Sequence, residues 1–549
     1  MKHHLGAALA VYTAVGIAFF APCVAPAQGG AAHDMHGDDA APALGQISFP
    51  TRARPASHAA FLRGVLLMHN FHYAQAATAF REAEKLDSTD VMGYWGEAMT
   101  YTHPVWNQQD TAAARAALRR LAVTRDGRLA MARSQRERAW LAAAEALYAP
   151  AGTKAERDTA WSLEMAKLHA SDPRDAEATT FYALSLLGLN QGDREPVAYA
   201  KAYELVVPVF KAHPRHPGAA HYLIHATDDP DHAALGLDAA QAYAGIAPSA
   251  THAIHMTSHI FLALGKWDDV VAANRRAQTT VPNGHLSGHI VQWLHYGLIQ
   301  QGRYHEADVW LDSMAHQARN TTRPLMRADA WDAAGMMAAA NLADTRRWTG
   351  GARDVRVDDV GFHADSNAEG LLDLSASDFG FALGALNRGE TVPFDSTVAR
   401  MAARRTRVAT NPLMANARGM SEVMEKTLRG FALEKRGDSS GALALFRTAA
   451  DEEATLPMPF GPPMTIKPPR EAAGELLLAL GKPEMAHREF SAALARTPRR
   501  TAALLGLARA EYMLDKRAES RRHYAELVGI WHAADSDLPD LAEARTRSR

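Results

Sequence analysis

Residues 486–498 read Ala486-His487-Arg488-Glu489-Phe490-Ser491-Ala492-Ala493-Leu494-Ala495-Arg496-Thr497-Pro498, with an Ala, an aromatic and a second Ala at i, i+4 and i+7. That spacing puts all three on one face of an α-helix. The pattern recurs at Ala76, Phe80, Ala83 and at Ala442, Phe446, Ala449. Looser copies stand at Ala239, Tyr243, Ile246; Val270, Asn274, Ala277; Ala307, Leu311, Met314; and Ser520, Tyr524, Leu527. Ala486 and Ser520 open copies 34 residues apart, and a fixed period of that size marks a stacked-repeat architecture. Upstream of several copies a small residue and a Gly hold constant offsets: Gly430 and Gly437, Gly474 and Gly481, Ser258 and Gly265. Such a unit is a helix A, a tight turn and a helix B. The small residue allows close crossing, the Gly ends helix A, and the Ala/aromatic/Ala stripe buries one face of helix B. A generic helical bundle would not need the fixed period.

This pattern resembles the tetratricopeptide repeat (TPR) family over nearly all of residues 56–530. The resemblance implies an all-α solenoid, a right-handed superhelix of stacked helix-turn-helix repeats with A helices lining the concave face. The chain also resembles a narrower branch of exported bacterial TPR proteins. The residues that carry this are Met68-His69-Asn70-Phe71 with Tyr73, Tyr94-Trp95-Gly96-Glu97-Ala98-Met99, and His103-Pro104 with Trp106. His216-Pro217-Gly218-Ala219-Ala220-His221-Tyr222-Leu223-Ile224-His225 and His255-Met256 with Ser258-His259-Ile260 complete the set. That branch hands over a fold and an export route, and no activity.

A chain of 549 residues exceeds a single compact core, which agrees with a repeat array. Its 59 Lys and Arg balance 61 Asp and Glu without a long basic block, so nucleic acid is not expected as a partner. Lys2, the apolar run Leu5–Phe20 and Ala25-Pro26-Ala27 read as a signal peptide over 1–27, cleaved before Gln28. The run is short for a membrane span, so no integral membrane segment is expected in the mature chain. Pro22 before Cys23 disfavours a lipoprotein anchor, and cleavage removes the single Cys. The expected destination is periplasmic or secreted. Residues 28–55 read as a flexible linker, 56–348 as an N-terminal solenoid with His-rich A helices, and 349–370 as an insertion or hinge. C-terminal repeats over 371–532 and a tail over 533–549 complete the division. The Pro-rich stretch 456–470 cannot be helical, and Phe460 and Met464 within it predict that it folds against the groove.

Twelve of the 26 His lie between His213 and His305. His221 and His225 are an i, i+4 pair, and His252, His255 and His259 share one face of the next A helix. His221, His252 and His289 each stand 18 residues before a helix B anchor, so successive A helices carry His at one position. The resemblance places those offsets on the concave wall. Imidazole suits Zn, Cu or Fe, and His221, His225, His252, His255 and His259 are the candidate metal ligands. No H-E-x-x-H occurs, and G-x-S-x-G, P-loop and dinucleotide fingerprints are missing where a strand-turn-helix context would be needed. Glu471 and Glu475 repeat the offsets of His255 and His259, which makes the groove residues His69, His103, His289, Lys467 and Glu471 further candidates and Glu97 and Glu475 candidate proton carriers. Glu471 also suits the first turn of a helix after Pro468-Pro469. The basic residues Arg499, Arg500, Arg517, Arg521 and Arg522 read as a solvated helix face. Three functions fit: a binding or scaffold protein with a divalent transition metal in its groove, a metal-dependent hydrolase or oxidoreductase using the same His, or a metal-free peptide binder. Groove ligands are then a peptide, a protein or a small molecule.

Overall fold

The computed structural model describes residues 43–189, 194–351, 355, 357, 368–458 and 460–549. Among them are 25 α-helices and one short antiparallel ribbon, Thr102–His103 with Gln108–Gln109. The fold is the expected all-α, TPR-type solenoid of antiparallel helix pairs. No helix among the described residues is long and apolar enough to cross a membrane.

The repeat motif has a steric cause. A Cβ placed on Gly64 or Gly96 would come within 2.6 or 2.3 Å of the Phe80 ring. On Gly474 or Gly506 it would come within 2.8 or 2.2 Å of Phe490. Phe80 and Phe490 are thus each gripped between their own A helix and the next, and glycine at these places lets both backbones close on the ring. Phe80, Phe446 and Phe490 are fully buried, which makes this ring the core element joining each repeat to its successor.

The solenoid returns on itself. The Trp267 Nε1–H donates to the Arg499 carbonyl at 3.0 Å, and Arg499 Nη1 donates to the Gly265 carbonyl at 3.0 Å. Farther along, Trp531 Nε1–H donates to the Gln300 carbonyl at 3.1 Å and the Asp535 amide to the Gly302 carbonyl at 3.0 Å. The last repeats therefore dock on the helices that carry the His cluster.

Three sequence expectations change, and two lie outside what is described. The signal peptide 1–27 lies outside the described residues, as does most of the 349–370 insertion. The described part of the 28–55 stretch is not a solvated linker: Leu44 and Phe49 are buried, and the Gln46 amide donates to the Arg215 carbonyl at 2.9 Å. The 533–549 tail folds into the helix Leu541–Arg547, with Leu538, Leu541 and Ala544 buried. Arg500 is fully buried and not part of a solvated face, because Glu471, Asp344 and the Tyr296 hydroxyl take its guanidinium.

Candidate metal centre

His255 and His259 lie one turn apart on the helix Thr251–Ala263 and are 1% and 6% exposed. His255 Nδ1 is 2.7 Å from Asn274 Oδ1, and the Asn274 Nδ2 donates to the Val270 carbonyl at 2.9 Å, which fixes the amide with its oxygen toward the ring. His255 Nδ1 therefore carries the proton. His259 Nδ1 meets the Asp228 carboxylate at 2.5 Å, and a carboxylate opposite an imidazole takes its N–H. With both Nδ1 atoms committed as donors, each ring in its neutral form presents a lone pair on Nε2, and the two Nε2 atoms face each other at 3.2 Å. Two facing lone pairs repel unless a cation lies between them. His289, from the helix Gly288–Gln300, brings a third ligand atom to within 4.8 Å of both.

A second convergence lies alongside. His221 and His225 are on the helix Pro217–Thr227, which His216 caps by accepting the Ala219 amide on Nδ1. His221 Nδ1 donates to the His69 carbonyl at 2.7 Å, leaving its Nε2 with a lone pair. That Nε2 stands 3.1 Å from His225 Nε2 and 3.2 Å from His252 Nε2. One lone pair accepts one hydrogen bond in line, so two nitrogens crowd it where protons can satisfy only one. Tetrahedral nitrogen donors about 2.0–2.1 Å from zinc stand roughly 3.3 Å from each other, close to these separations. Burial pulls His221, His225 and His255 well below the usual imidazole range, which keeps them in the neutral form that binds metal.

The His-lined groove is covered from two sides. Phe71, from the turn between the helices Pro55–His69 and Tyr73–Leu86, covers His221 with ring centroids 4.2 Å apart and stacks near His225 at 5.8 Å. The Pro-rich loop enters from the other side. Phe460 lies 6.3 Å from His225 and 6.4 Å from His259, and Gly461 sits against Trp293, which stacks on His259 at 4.3 Å. The expected docking of that loop against the groove is what the structure has. His252 remains half-buried and His289 exposed, so these two form the approach to the cluster.

The other candidates fall elsewhere. The His69 ring is buried behind the cluster, its Nε2 2.9 Å from Glu177 and its Nδ1 3.0 Å from the Tyr222 hydroxyl; only its carbonyl serves the centre. His103 stacks on Tyr73 at 4.0 Å beside the ribbon. Glu97 is held by Arg81 at 2.7 Å, by Arg120 and by the Tyr101 hydroxyl, so its oxygens are taken by two cations and a neutral donor. Lys467 binds Glu471 at 2.5 Å and Glu475 at 2.8 Å, and Glu475 also pairs with Arg346 at 2.8 Å. These carboxylates lock the Pro-rich loop to the helix Pro469–Ala479 and do not meet the imidazoles.

Sequence reasoning missed Asp228 and Asn274. Asn274 had a signal: it occupies the position that Phe80, Phe446, Phe490, Tyr243 and Tyr524 fill in other copies, yet it is fully buried. A buried amide at a core aromatic position needs a partner, and His255 is that partner.

No protein-family model matches the chain, nor does any curated protein sequence. Solved structures with a similar course include the human IFIT1 dimer with m7Gppp-AAAA, at 13% identity over 89% of this chain and 92% of that one, with a TM-score of 0.33. The APC/C hetero-tetramer Cut9-Hcn1 aligns at 13% identity over 89% and 96%, with a TM-score of 0.29. The P58(IPK) TPR domain aligns at 14% identity over 68% and 98%, with a TM-score of 0.22. No ligand or activity is carried over from them.

Proposed function

We propose that this is an exported TPR-type protein whose His-lined groove holds a transition metal, Zn, Cu or Fe, for binding or carriage. The observation that carries the reading is the pair His255 and His259. Buried acceptors pin both Nδ1 protons, and two Nε2 lone pairs are left facing each other at 3.2 Å. Acceptors that orient metal-binding imidazoles in this way are the usual outer partners of His ligands. The ligands are neutral imidazoles without thiolate, a donor set suited to Zn, Cu or Fe and poor for Mg or Ca. Binding is favoured over hydrolysis because Glu97 and Glu475 are tied to Arg and Lys side chains. An extended peptide is disfavoured as the groove ligand, since the chain's own Phe460 and Gly461 stand over the imidazoles. A small molecule reaching His252 and His289 fits the space better.

The test is the metal content of untagged protein exposed to Zn2+ or Cu2+ and dialysed at neutral pH. His255→Ala should lose metal and His316→Ala, an exposed residue on the helix Tyr304–Asn320, should not. His305 makes a poor control because its ring stands near Asp535 and Asp537. Equal content in all three proteins, or none in the unmodified one, would end the reading.

A further inference from the structure

The five His singled out by sequence do not form one site. They divide, with His289, into two groups built by the same rule. His221 and His225 form an i, i+4 pair, and His255 and His259 form another on the next A helix, three residues farther along the repeat register than the first pair. Each pair is completed by the His that opens the following A helix: His252 for the first, His289 for the second. In each group the three ligand atoms lie within 4.8 Å of one another. All three close Nε2 approaches, 3.1, 3.2 and 3.2 Å, fall inside a group. Between the groups the ring centroids are 6.1 Å apart for His225 and His259 and 6.5 Å for His252 and His255, against 4.8 Å for His221 and His225, 5.1 Å for His255 and His259 and 4.5 Å for His255 and His289 within them, although His259 and His289 are 6.4 Å apart.

The outer partners are separate as well. In the first group a neutral backbone carbonyl, that of His69, orients His221, and in the second the Asn274 amide and the Asp228 carboxylate orient His255 and His259. Asp228 ends the helix that bears the first pair and reaches over to the second. One helix, Thr251–Ala263, contributes to both groups, so the two three-imidazole groups lie side by side along the solenoid.

From this we infer that the chain holds two transition-metal ions, one in each group, each on three neutral imidazoles. The inference rests on the metal-binding reading above. Three protein nitrogens leave a coordination position for an exogenous ligand, as in sites that exchange or activate what they bind. The two ions differ in affinity. The group backed by Asp228 fills first, because a carboxylate on the far nitrogen raises the donor strength of its imidazole.

The experiment titrates metal-free protein with Zn2+ against a chromophoric chelator and measures bound zinc by elemental analysis. Unmodified protein should take two ions in two resolved steps. His289→Ala should remove the tighter step and keep the weaker, and His252→Ala should do the reverse. Both residues lie at the accessible edge of the cluster, and circular dichroism checks that each variant keeps its helix content. Asp228→Asn should weaken the tighter step 10- to 100-fold and leave the other unchanged. One ion lost equally in either His variant would overturn the two-site inference while keeping the metal reading. No zinc in the unmodified protein would remove the metal reading itself.

Discussion

Removing the Glu471 carboxylate should both destabilise the protein and release the loop over the imidazoles. Glu471 accepts from Lys467 at 2.5 Å and from Arg500 Nε at 2.8 Å, and Arg500 in turn binds Asp344 and the Tyr296 hydroxyl. Lys467 is 3% exposed, and Glu471 and Arg500 are 0%. Burial alone would raise the Glu471 carboxyl, and Arg500 and Lys467 more than offset it, holding the group ionised below the ordinary carboxylate range. Three cations, Lys467, Arg500 and Arg346, meet three carboxylates, Glu471, Glu475 and Asp344. Glu471→Ala leaves a positive charge uncompensated where water does not reach. Breaking one side of a buried ion pair costs about 3–5 kcal/mol, against about 0–1 kcal/mol for an exposed pair.

Urea denaturation followed by circular dichroism should show that loss, with Glu471→Gln intermediate because it keeps the volume and one acceptor. Lys467 is also the tether at the end of the Pro-rich loop. A broad-specificity protease should therefore cut between Met458 and Lys467 in Glu471→Ala under native conditions, and leave that stretch intact in the parent. A stability loss under about 1 kcal/mol with an unchanged cleavage pattern would refute the reasoning: the network would then be a solvated surface cluster and not the loop's anchor.

Phe460→Ala should speed extraction of metal by a chelator severalfold, with an equilibrium affinity within threefold of the parent, because the ring covers His225 and His259 without offering a ligand atom; unchanged kinetics would show that the loop does not control access. His295 is fully buried with neither ring nitrogen partnered among the described residues, and burial lowers it from 6.5 to about 3. Its neutral form is thus the folded one, so its share of stability is complete above pH 6.5 and falls by about 1.4 kcal/mol per unit as pH drops toward 3; the pH slope of urea stability in metal-free His295→Leu should be shallower by one proton than in the parent. Gly430→Ala should cost about 1–3 kcal/mol in urea denaturation, since its Cβ would stand 2.4 Å from the Phe446 ring; a neutral result would mean that the repeat joint tolerates a wider crossing.

The helix pairs were legible because their signal is local and periodic. A ring gripped between two backbones demands a small residue at fixed offsets, and Gly430, Gly474 and Phe490 show it in one dimension. The imidazoles were legible as a set for the same reason, since offset 18 from an anchor is a position on a helix face. Their division into two groups was not. It depends on the rotation of one A helix against the next, which brings His252 to the pair before it and sends His255 to the His after it. Arg500 was misplaced because Arg and Glu residues alternating along the chain look the same whether water or Glu471 and Asp344 receive the guanidinium. That choice is made by the solenoid closing on itself, which brings Asp344 and Tyr296, more than 150 residues away in sequence, to Arg500 beside Glu471.

Asn274 shows what the cluster costs the fold. At the corresponding place Phe80 and Phe490 fill the joint between repeats, and a buried aromatic there contributes on the order of 2–3 kcal/mol of apolar burial. An amide supplies much less and must be fully hydrogen-bonded to avoid a penalty of similar size. Asn274 meets that demand with two bonds, one to the Val270 carbonyl and one to His255 Nδ1. The second bond does nothing for the helix pair that a Phe ring would not do better. What it achieves is to set the tautomer of one imidazole and aim its Nε2 at the Nε2 of His259. A repeat that gives up its anchor ring on the helix Trp267–Thr279, packed against the helix that both imidazole groups share, is organised around that nitrogen pair, and core packing comes second there.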